Sequence, residues 1–230
     1  MVVYEFENAA KSVAKAAQFE ITQDGKSPFI HFSLGETLAP DTDLPGVPDW
    51  IQQTDTKPLG DTLSVTINTM IGNQAVVDVI EELEPGAHSF REVRVRRKDG
   101  VEVETPYFLV SPGQIFCASL VDEEGSANWR TENRLGPVVP NATQSGYRPV
   151  LSLPRIAGRH LWRSEVVDGG KTFVSETLYK AFKKRVATNW KFLRADVVDR
   201  PWIAEDNLGP FLEWRKTVPP ETPGRDLHEW

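Results

Sequence analysis

The chain has 230 residues, of which 40% are hydrophobic, and 33 acidic against 26 basic residues give it a net charge of −7. This apolar content is enough for a folded core and excludes a disordered tail. The acidic balance argues against a general nucleic-acid binder, because affinity for phosphates comes from Lys and Arg.

Cysteine content and the first residues indicate the compartment. The one cysteine, Cys117, excludes an internal disulfide and a cysteine-rich zinc site, and its apolar neighbours predict a buried, unreactive thiol. Residues 1–7 do not resemble a secretory signal, and no stretch approaches the roughly 20 apolar residues that span a membrane. We therefore expect a cytoplasmic protein with neither a membrane nor a nucleic acid as partner.

Residues 1–60 are predicted to form an N-terminal segment and a Pro-rich connection. After the first residues, an Ala- and Lys-rich stretch fits either a short helix or part of an opening strand. Residues 35–60 hold four prolines among Asp and Thr, a composition typical of an extended connection on the surface. The alternation from Leu63 to Ile67 then predicts a strand that opens the main domain, residues 61–215.

Two segments of this domain, residues 70–95 and 172–197, carry the same pattern at a constant offset of 102 residues, without a gap. In each, a polar residue that can cap a helix, Asn73 or Ser175, precedes apolar residues at helical spacing. A strand-like alternation follows. Each segment therefore predicts a helix, a turn and a strand. The alternative to an internal repeat is a coincidence between two ordinary amphipathic segments.

The remaining chain is predicted to be mainly extended. Four short strands are expected, at Tyr107–Val110, Ile115–Val121, Val150–Leu153 and His160–Arg163. The polar residues 122–144 predict a long loop, and residues 216–230 predict a Pro-rich tail. Many strands and few short helices predict an α+β fold with mixed, mainly antiparallel sheets.

No motif for catalysis or metal binding stands out in the sequence. The four histidines lack the close spacing that places two metal ligands on one helix face. A phosphate-binding glycine loop, a nucleophile elbow and a catalytic-cysteine signature are also missing. We therefore predict no catalytic residues, no metal and no cofactor. The alternative is an enzyme, a hydrolase or transferase, which a cluster of His88, His160 and carboxylates in a deep pocket would favour.

The two predicted helices differ in the charge of their outer faces. The first carries Asp78, Glu81, Glu82 and Glu84, whereas the second carries Lys180, Lys183, Lys184 and Arg185. Such faces are either ordinary solvated charge or docking sites for a partner of opposite charge. An acidic docking face agrees better with the net charge of −7.

From these patterns we predict a set of partner-binding residues. They are Glu81, Glu82 and Glu84 on the first helix, Asp122, Glu123 and Glu124 in the long loop, and Trp129 beside Arg130. An aromatic residue next to an arginine in a loop is typical of interfaces. The alternative for Trp129 is a loop anchor folded back on the domain.

Two stretches of the sequence resemble a bacterial immunity-protein family, the eleventh type, formerly a domain of unknown function. The segment Val150–Arg163, followed by Thr172–Glu176 and a short helix, resembles the closing half, and the stretch Leu63–Phe90 resembles the opening half. The resemblance covers about residues 60–200. This sequence departs from the family pattern in having Asn73 where a Ser is usual, and in its long polar loop.

That family guards bacterial cells against polymorphic secreted toxins. The resemblance implies a non-catalytic protein that binds and neutralises a cognate toxin by occluding its active site. Toxins that attack nucleic acids often carry basic clefts, which an acidic inhibitor would match in charge. Besides an enzyme, the remaining alternative is a structural adaptor that uses the Pro-rich tail as a peptide ligand. The sequence carries no signal for an oligomeric state.

Overall fold

The computed structural model describes residues 1–7, 19–21, 50–63, 65, 70–120, 129–131, 138–140, 149–164, 171–186 and 190–219. Its strands are β1 (Val3–Glu7), β2 (Phe19–Ile21), β3 (Trp50–Gln53), β4 (Thr62–Leu63), β5 (Met70–Asn73), β6 (Ser89–Arg96), β7 (Tyr107–Ser111), β8 (Ser119–Leu120), β9 (Trp129–Thr131), β10 (Val138–Pro140), β11 (Val150–Ser152), β12 (Leu161–Arg163), β13 (Thr172–Ser175) and β14 (Lys191–Val198). Its helices are α1 (Gln74–Leu83), α2 (Leu153–Ile156), α3 (Glu176–Arg185) and α4 (Ala204–Thr217).

Two six-stranded sheets hold most of these strands. The first sheet has the order β2, β3, β6, β7, β5, β4, the second has the order β8, β11, β14, β1, β13, β12, and β9 pairs with β10. Within both sheets, β3 with β6 and β11 with β14 are parallel, and the other described neighbours are antiparallel. These sheets, together with the four helices of the described residues, confirm the predicted α+β fold.

The two segments of the predicted repeat form the same elements. Each of β13, α3 and β14 begins and ends 102 residues after β5, α1 and β6, respectively. Asn73 and Ser175 both cap their helices with a side-chain oxygen that accepts a backbone N–H of the first turn. The predicted helix and strand are therefore present in both segments, whereas the turn predicted in the second segment falls on residues 187–189, outside the described residues.

The likeness extends beyond these segments to the whole of both sheets. In the orders given above, every strand of the first sheet has a counterpart of the same direction in the second. The edge strands agree as well, because β2 and β8 are both antiparallel to the strand beside them, as are β4 and β12. The fold consists of two sheets with one topology, which is the arrangement expected of an internal duplication.

We divide the chain between β6 and β7 into two halves, so that β1 to β6 correspond in order to β7, β8, β11, β12, β13 and β14. The third strand from one edge of each sheet then comes from the other half. β7 lies between β5 and β6, and β1 takes the equivalent place between β13 and β14. The registers match too, because Val110 lies opposite Phe90 and Phe6 lies opposite Phe192. Each half therefore depends on a strand from the other half. The predicted boundary at residue 61 is not a boundary of the fold, since β1, β2 and β3 belong to the two sheets.

One hydrophobic core joins the two halves around α1 and α3. Its buried members include Phe6, Met70, Val76, Val79, Ile80, Val110, Leu161, Val174, Leu178, Phe182 and Trp190. Phe6 lies at its centre, with its ring 5.3 Å from that of Trp190 and 6.0 Å from that of Phe192. Two further clusters cover the other faces of the sheets. Burial of this apolar surface provides most of the stabilising free energy, and it holds α1 and α3 against each other.

Helix α4 is absent from the sequence-based prediction. Its interior contains Gly209 and Pro210, which in a sequence are typical of a turn, but Leu208 and Phe211 anchor it on the protein by packing against Cys117. The predicted tail begins inside this helix, which continues to Thr217. The thiol of Cys117 is buried, as predicted. No helix in the described part of the chain is long and apolar enough to cross a membrane.

Other differences are local. Of the strand predicted at Ile115–Val121, β8 covers two residues, and Ile115 forms an isolated parallel bridge with Arg163 of β12. α2 begins at Leu153, the last residue of the strand predicted at Val150–Leu153. The loop predicted at residues 122–144 contains β9 and β10, while most of it, like residues 35–49, lies outside the described residues.

Candidate partner-binding surface

The outer faces of α1 and α3 form one continuous charged surface, because the two helices pack side by side. Its residues, which we call the charged helix face, are Asp78, Glu81 and Glu82 on α1, and Lys180, Lys183, Lys184 and Arg185 on α3. The surface is therefore acidic on one side and basic on the other, as the sequence predicted for each helix. Arg185 donates a hydrogen bond to Glu82 across the boundary.

That ion pair leaves both side chains accessible. The side chain of Glu82 is 63% exposed and that of Arg185 is 43% exposed. Exposed pairs of this kind contribute at most about 1 kcal/mol, so a partner of suitable charge can replace them. Glu81 is partly buried and accepts a hydrogen bond from the backbone N–H of Gly86 at 3.1 Å.

Both helices are fixed at their first turn by the same arrangement. The backbone N–H of Asn73 donates to the carbonyl of Asp61, and that of Ser175 donates to the carbonyl of His160, both at 2.8 Å. The side chains of the same residues are also hydrogen-bonded. The Asn73 amide donates to the carboxylate of Asp61, and the Ser175 hydroxyl is bonded to the ring of His160, both at 2.8 Å. The charged helix face is thus presented on rigid elements, which suits a preformed interface.

Glu84 lies inside the protein, unlike the rest of the predicted acidic face. α1 ends at Leu83, and the turn with Gly86 at φ 68° directs the chain away from the helix axis. Glu84 is 7% exposed, so it cannot belong to a docking surface. We therefore remove it from the predicted partner-binding residues.

The Glu84 carboxylate is a clamp between the two halves of the chain. One oxygen accepts hydrogen bonds from the side chain of Gln114 at 2.6 Å and the backbone N–H of His160 at 2.8 Å. The other accepts from the ring of His88 and the backbone N–H of Leu161, both at 2.8 Å. All four acceptor positions of the carboxylate are filled. We call this arrangement the Glu84 clamp.

The hydrogen bonds of the clamp orient the His88 ring and act on the pKa of Glu84. The backbone N–H of Gly113 donates to Nδ1 of His88, and Nε2 of the ring donates to Glu84. Burial alone would raise the pKa of Glu84. The hydrogen bonds from His88, His160 and Gln114 outweigh burial and hold the pKa below its ordinary value of 4.5. Glu84 is therefore a stabilised, buried carboxylate.

These contacts bear on the alternative that the protein is an enzyme. His88 and His160 do meet Glu84, but His160 does so through its backbone, and no hydrogen-bonding position of the carboxylate is left for a substrate. Ser175 is equally occupied, since its hydroxyl caps α3. A cavity of about 480 Å³ lies elsewhere, along α4. The described residues include no group of three or more His, Cys, Asp or Glu placed to hold a metal ion.

Of the four remaining predicted contact residues, the structure describes only the backbone of Trp129. Asp122, Glu123 and Glu124 fall outside the described residues. Trp129 begins β9, where it lies opposite Pro140 of β10. A role of these four residues in binding stays a prediction.

Comparison with known protein families identifies the family of this chain. The model of an immunity protein family, Imm11, matches residues 1–197, a span that includes β1, both repeat segments and the exchanged strands. The chain belongs to the Imm11 immunity protein family. The Imm11 match begins at the first residue rather than near residue 60, in agreement with the place of β1 in the second sheet. It ends before α4. No curated protein matches the chain.

Sequence reasoning missed the Glu84 clamp, although the repeat held a signal for it. Gln114 and His160 lie 30 and 76 residues from Glu84 along the chain, so no local pattern connects them. The position 102 residues after Glu84, however, is Val186, which is 6% exposed. An apolar residue at the matching position indicates a core position. Comparing the two segments residue by residue would have placed Glu84 inside.

Proposed function

We propose that this protein protects the cell that makes it by binding a cognate secreted toxin, in the cytoplasm, and that binding occludes the active site of the toxin without a chemical step. Membership of the Imm11 immunity protein family carries the proposal. The Glu84 clamp supports a non-catalytic role, because its carboxylate and the His88 ring bind only the protein itself.

The charged helix face supports protein binding as the mechanism. Its acidic side, Asp78, Glu81 and Glu82, agrees in sign with the net charge of −7. A toxin that acts on nucleic acid needs a basic cleft, and an acidic surface would both enter that cleft and accelerate the encounter. The basic side on α3 would then contact acidic residues at the rim of the cleft, which fixes the orientation of the complex.

Protection by co-expression tests this function. The toxin is taken as the C-terminal domain of a large secreted protein encoded beside this gene, and it is produced with and without the present chain. We expect growth to be restored by the chain and the two proteins to co-purify. Restored growth without a complex would point to an indirect action, and no restoration would contradict the proposal.

Reversal of charge on α1 tests the role of the helix face. We expect Asp78→Lys with Glu81→Lys to slow association with the toxin domain by about tenfold at low salt, because electrostatic steering is lost. The matched control is Glu205→Lys with Asp206→Lys on α4, which makes the same change in net charge at exposed positions. Stopped-flow measurements over a range of salt concentrations give the rates. Equal slowing of both variants would rule out a specific contribution of α1.

A further inference from the structure

Two arginines of the second half share one aromatic ring. The guanidinium carbon of Arg159 lies 4.3 Å from the ring centroid of Phe116, and that of Arg155 lies 5.6 Å from the same centroid. Arg155 also lies 4.9 Å from the ring centroid of Trp202. We call these four residues the arginine patch. Stacking on aromatic faces holds both guanidinium groups in place.

Both arginines are partly exposed, and their hydrogen bonds within the described residues use only part of each guanidinium group. Nε of Arg155 donates to the carbonyl of Cys117 and Nε of Arg159 donates to the carbonyl of Arg155, both at 3.4 Å. Nη1 of Arg159 donates to the side chain of Gln114 at 2.8 Å. Among the described residues, no carboxylate forms an ion pair with either arginine. In the part of the chain that the structure describes, the two guanidinium groups therefore lie against one ring without a carboxylate partner, which a bound anion would supply.

The patch lies where the second half departs from the repeat. Arg155 belongs to α2, which follows β11, whereas no helix follows the equivalent strand β3 in residues 54–60. Trp202 precedes α4, which likewise has no counterpart in the described part of the first half. Around the two arginines, Pro154, Ala157 and Gly158 are exposed. The patch is thus an accessible addition to the duplicated scaffold.

We propose that the arginine patch is a second contact site and that it binds a carboxylate-bearing segment, Asp or Glu side chains, of a partner protein. The planar forks of Arg155 and Arg159 match carboxylates in geometry and charge. Their fixed position lowers the entropy lost on binding, and Trp and Arg dominate the energetics of protein interfaces. Only the identity of the partner as a toxin rests on the proposed function.

Calorimetric titration of the full chain with a hexaglutamate peptide at low salt tests the site. We expect Arg155→Gln with Arg159→Gln to weaken binding by at least about tenfold. The control, Arg97→Gln with Lys98→Gln, removes the same charge from exposed positions in the turn after β6, and we expect it to weaken binding by less than about twofold. Arg155→Lys with Arg159→Lys keeps the charge but not the planar forks, and should also weaken binding. Circular dichroism verifies that each variant is folded.

Three results would overturn the assignment. They are equal weakening by the Gln substitutions in the arginine patch and in the control pair, absence of hexaglutamate binding to the unaltered chain, and tighter binding of tripolyphosphate than of hexaglutamate at the patch. The titration uses no toxin, so its outcome is separate from the proposed function. A chain that binds hexaglutamate through the patch but protects against no toxin would keep this inference and contradict that function.

Discussion

Replacement of Glu84 by Gln is expected to lower the free energy of unfolding by about 3–5 kcal/mol, because an amide NH₂ then faces buried N–H donors that have no other acceptor. Either orientation of the amide leaves one pair of donors unpaired, Gln114 with His160 or His88 with Leu161. Since these donors lie in both halves of the chain, the loss of their hydrogen bonds to residue 84 weakens the contact between the halves. Urea unfolding of purified protein measures the change.

Glu82→Gln is the matched control for this substitution. It makes the same chemical change two residues earlier in the chain, on a side chain that is 63% exposed. We expect it to alter the free energy of unfolding by no more than about 0.5 kcal/mol. Similar, small effects of both substitutions would mean that Glu84 does not clamp the two halves.

The pH dependence of the same two proteins gives an independent result. The pKa of Glu84 is held below 4.5 in the folded protein, so the unfolded chain binds its proton more tightly. The contribution of Glu84 to stability is then complete above its ordinary pKa and is lost as the pH falls through the folded pKa. We expect the difference in stability between the unaltered chain and Glu84→Gln to shrink as the pH falls through and below 4.5. A constant difference would contradict the ionised state of Glu84.

Removal of residues 1–7 is expected to abolish cooperative folding. β1 lies between β13 and β14, so its loss divides the second sheet and opens the core around Phe6. Phe6→Ala gives a quantitative version, and we expect a cost of about 3–5 kcal/mol. Phe6→Leu, which keeps most of the apolar volume, should cost less than about 1.5 kcal/mol. Thermal and urea unfolding provide these values.

A folded truncated chain would contradict the exchange of strands. If the protein lacking residues 1–7 unfolded with the same midpoint and the same cooperativity as the full chain, β1 would be an accessory strand. A small effect of Phe6→Ala would lead to the same conclusion. These outcomes would restore the sequence-based boundary at residue 61.

The periodic part of the fold could be predicted from the sequence. The helices and strands of the two repeat segments follow from polar caps and apolar spacing, which act between residues close in the chain. The place of β1 between β13 and β14 could not, because pairing between strands near opposite ends of the described chain leaves no local pattern. α4 was missed since tertiary packing of Leu208 and Phe211 overrides its Gly209 and Pro210.

The candidate surface was predicted in part. The opposite charges of α1 and α3 were visible from the sequence, and so was the exposed position of Glu82. The spacing in the sequence predicted that Glu84 lies on the same face. The helix ends at Leu83, however, and the chain changes direction after it. The arginine patch combines residues from three separate stretches, Phe116, Arg155 with Arg159, and Trp202, so only the fold brings it together.

Titration of toxin activity with this protein tests the central claim of inhibition by binding most directly. The toxin domain is held at a fixed concentration well above the dissociation constant, and its activity is measured as the chain is added. We predict that activity falls linearly to zero at a fixed molar ratio, and that longer incubation does not lower the amount required. Progressive inactivation of a large excess of toxin by a trace of the chain would instead show turnover, and it would contradict a non-catalytic immunity protein.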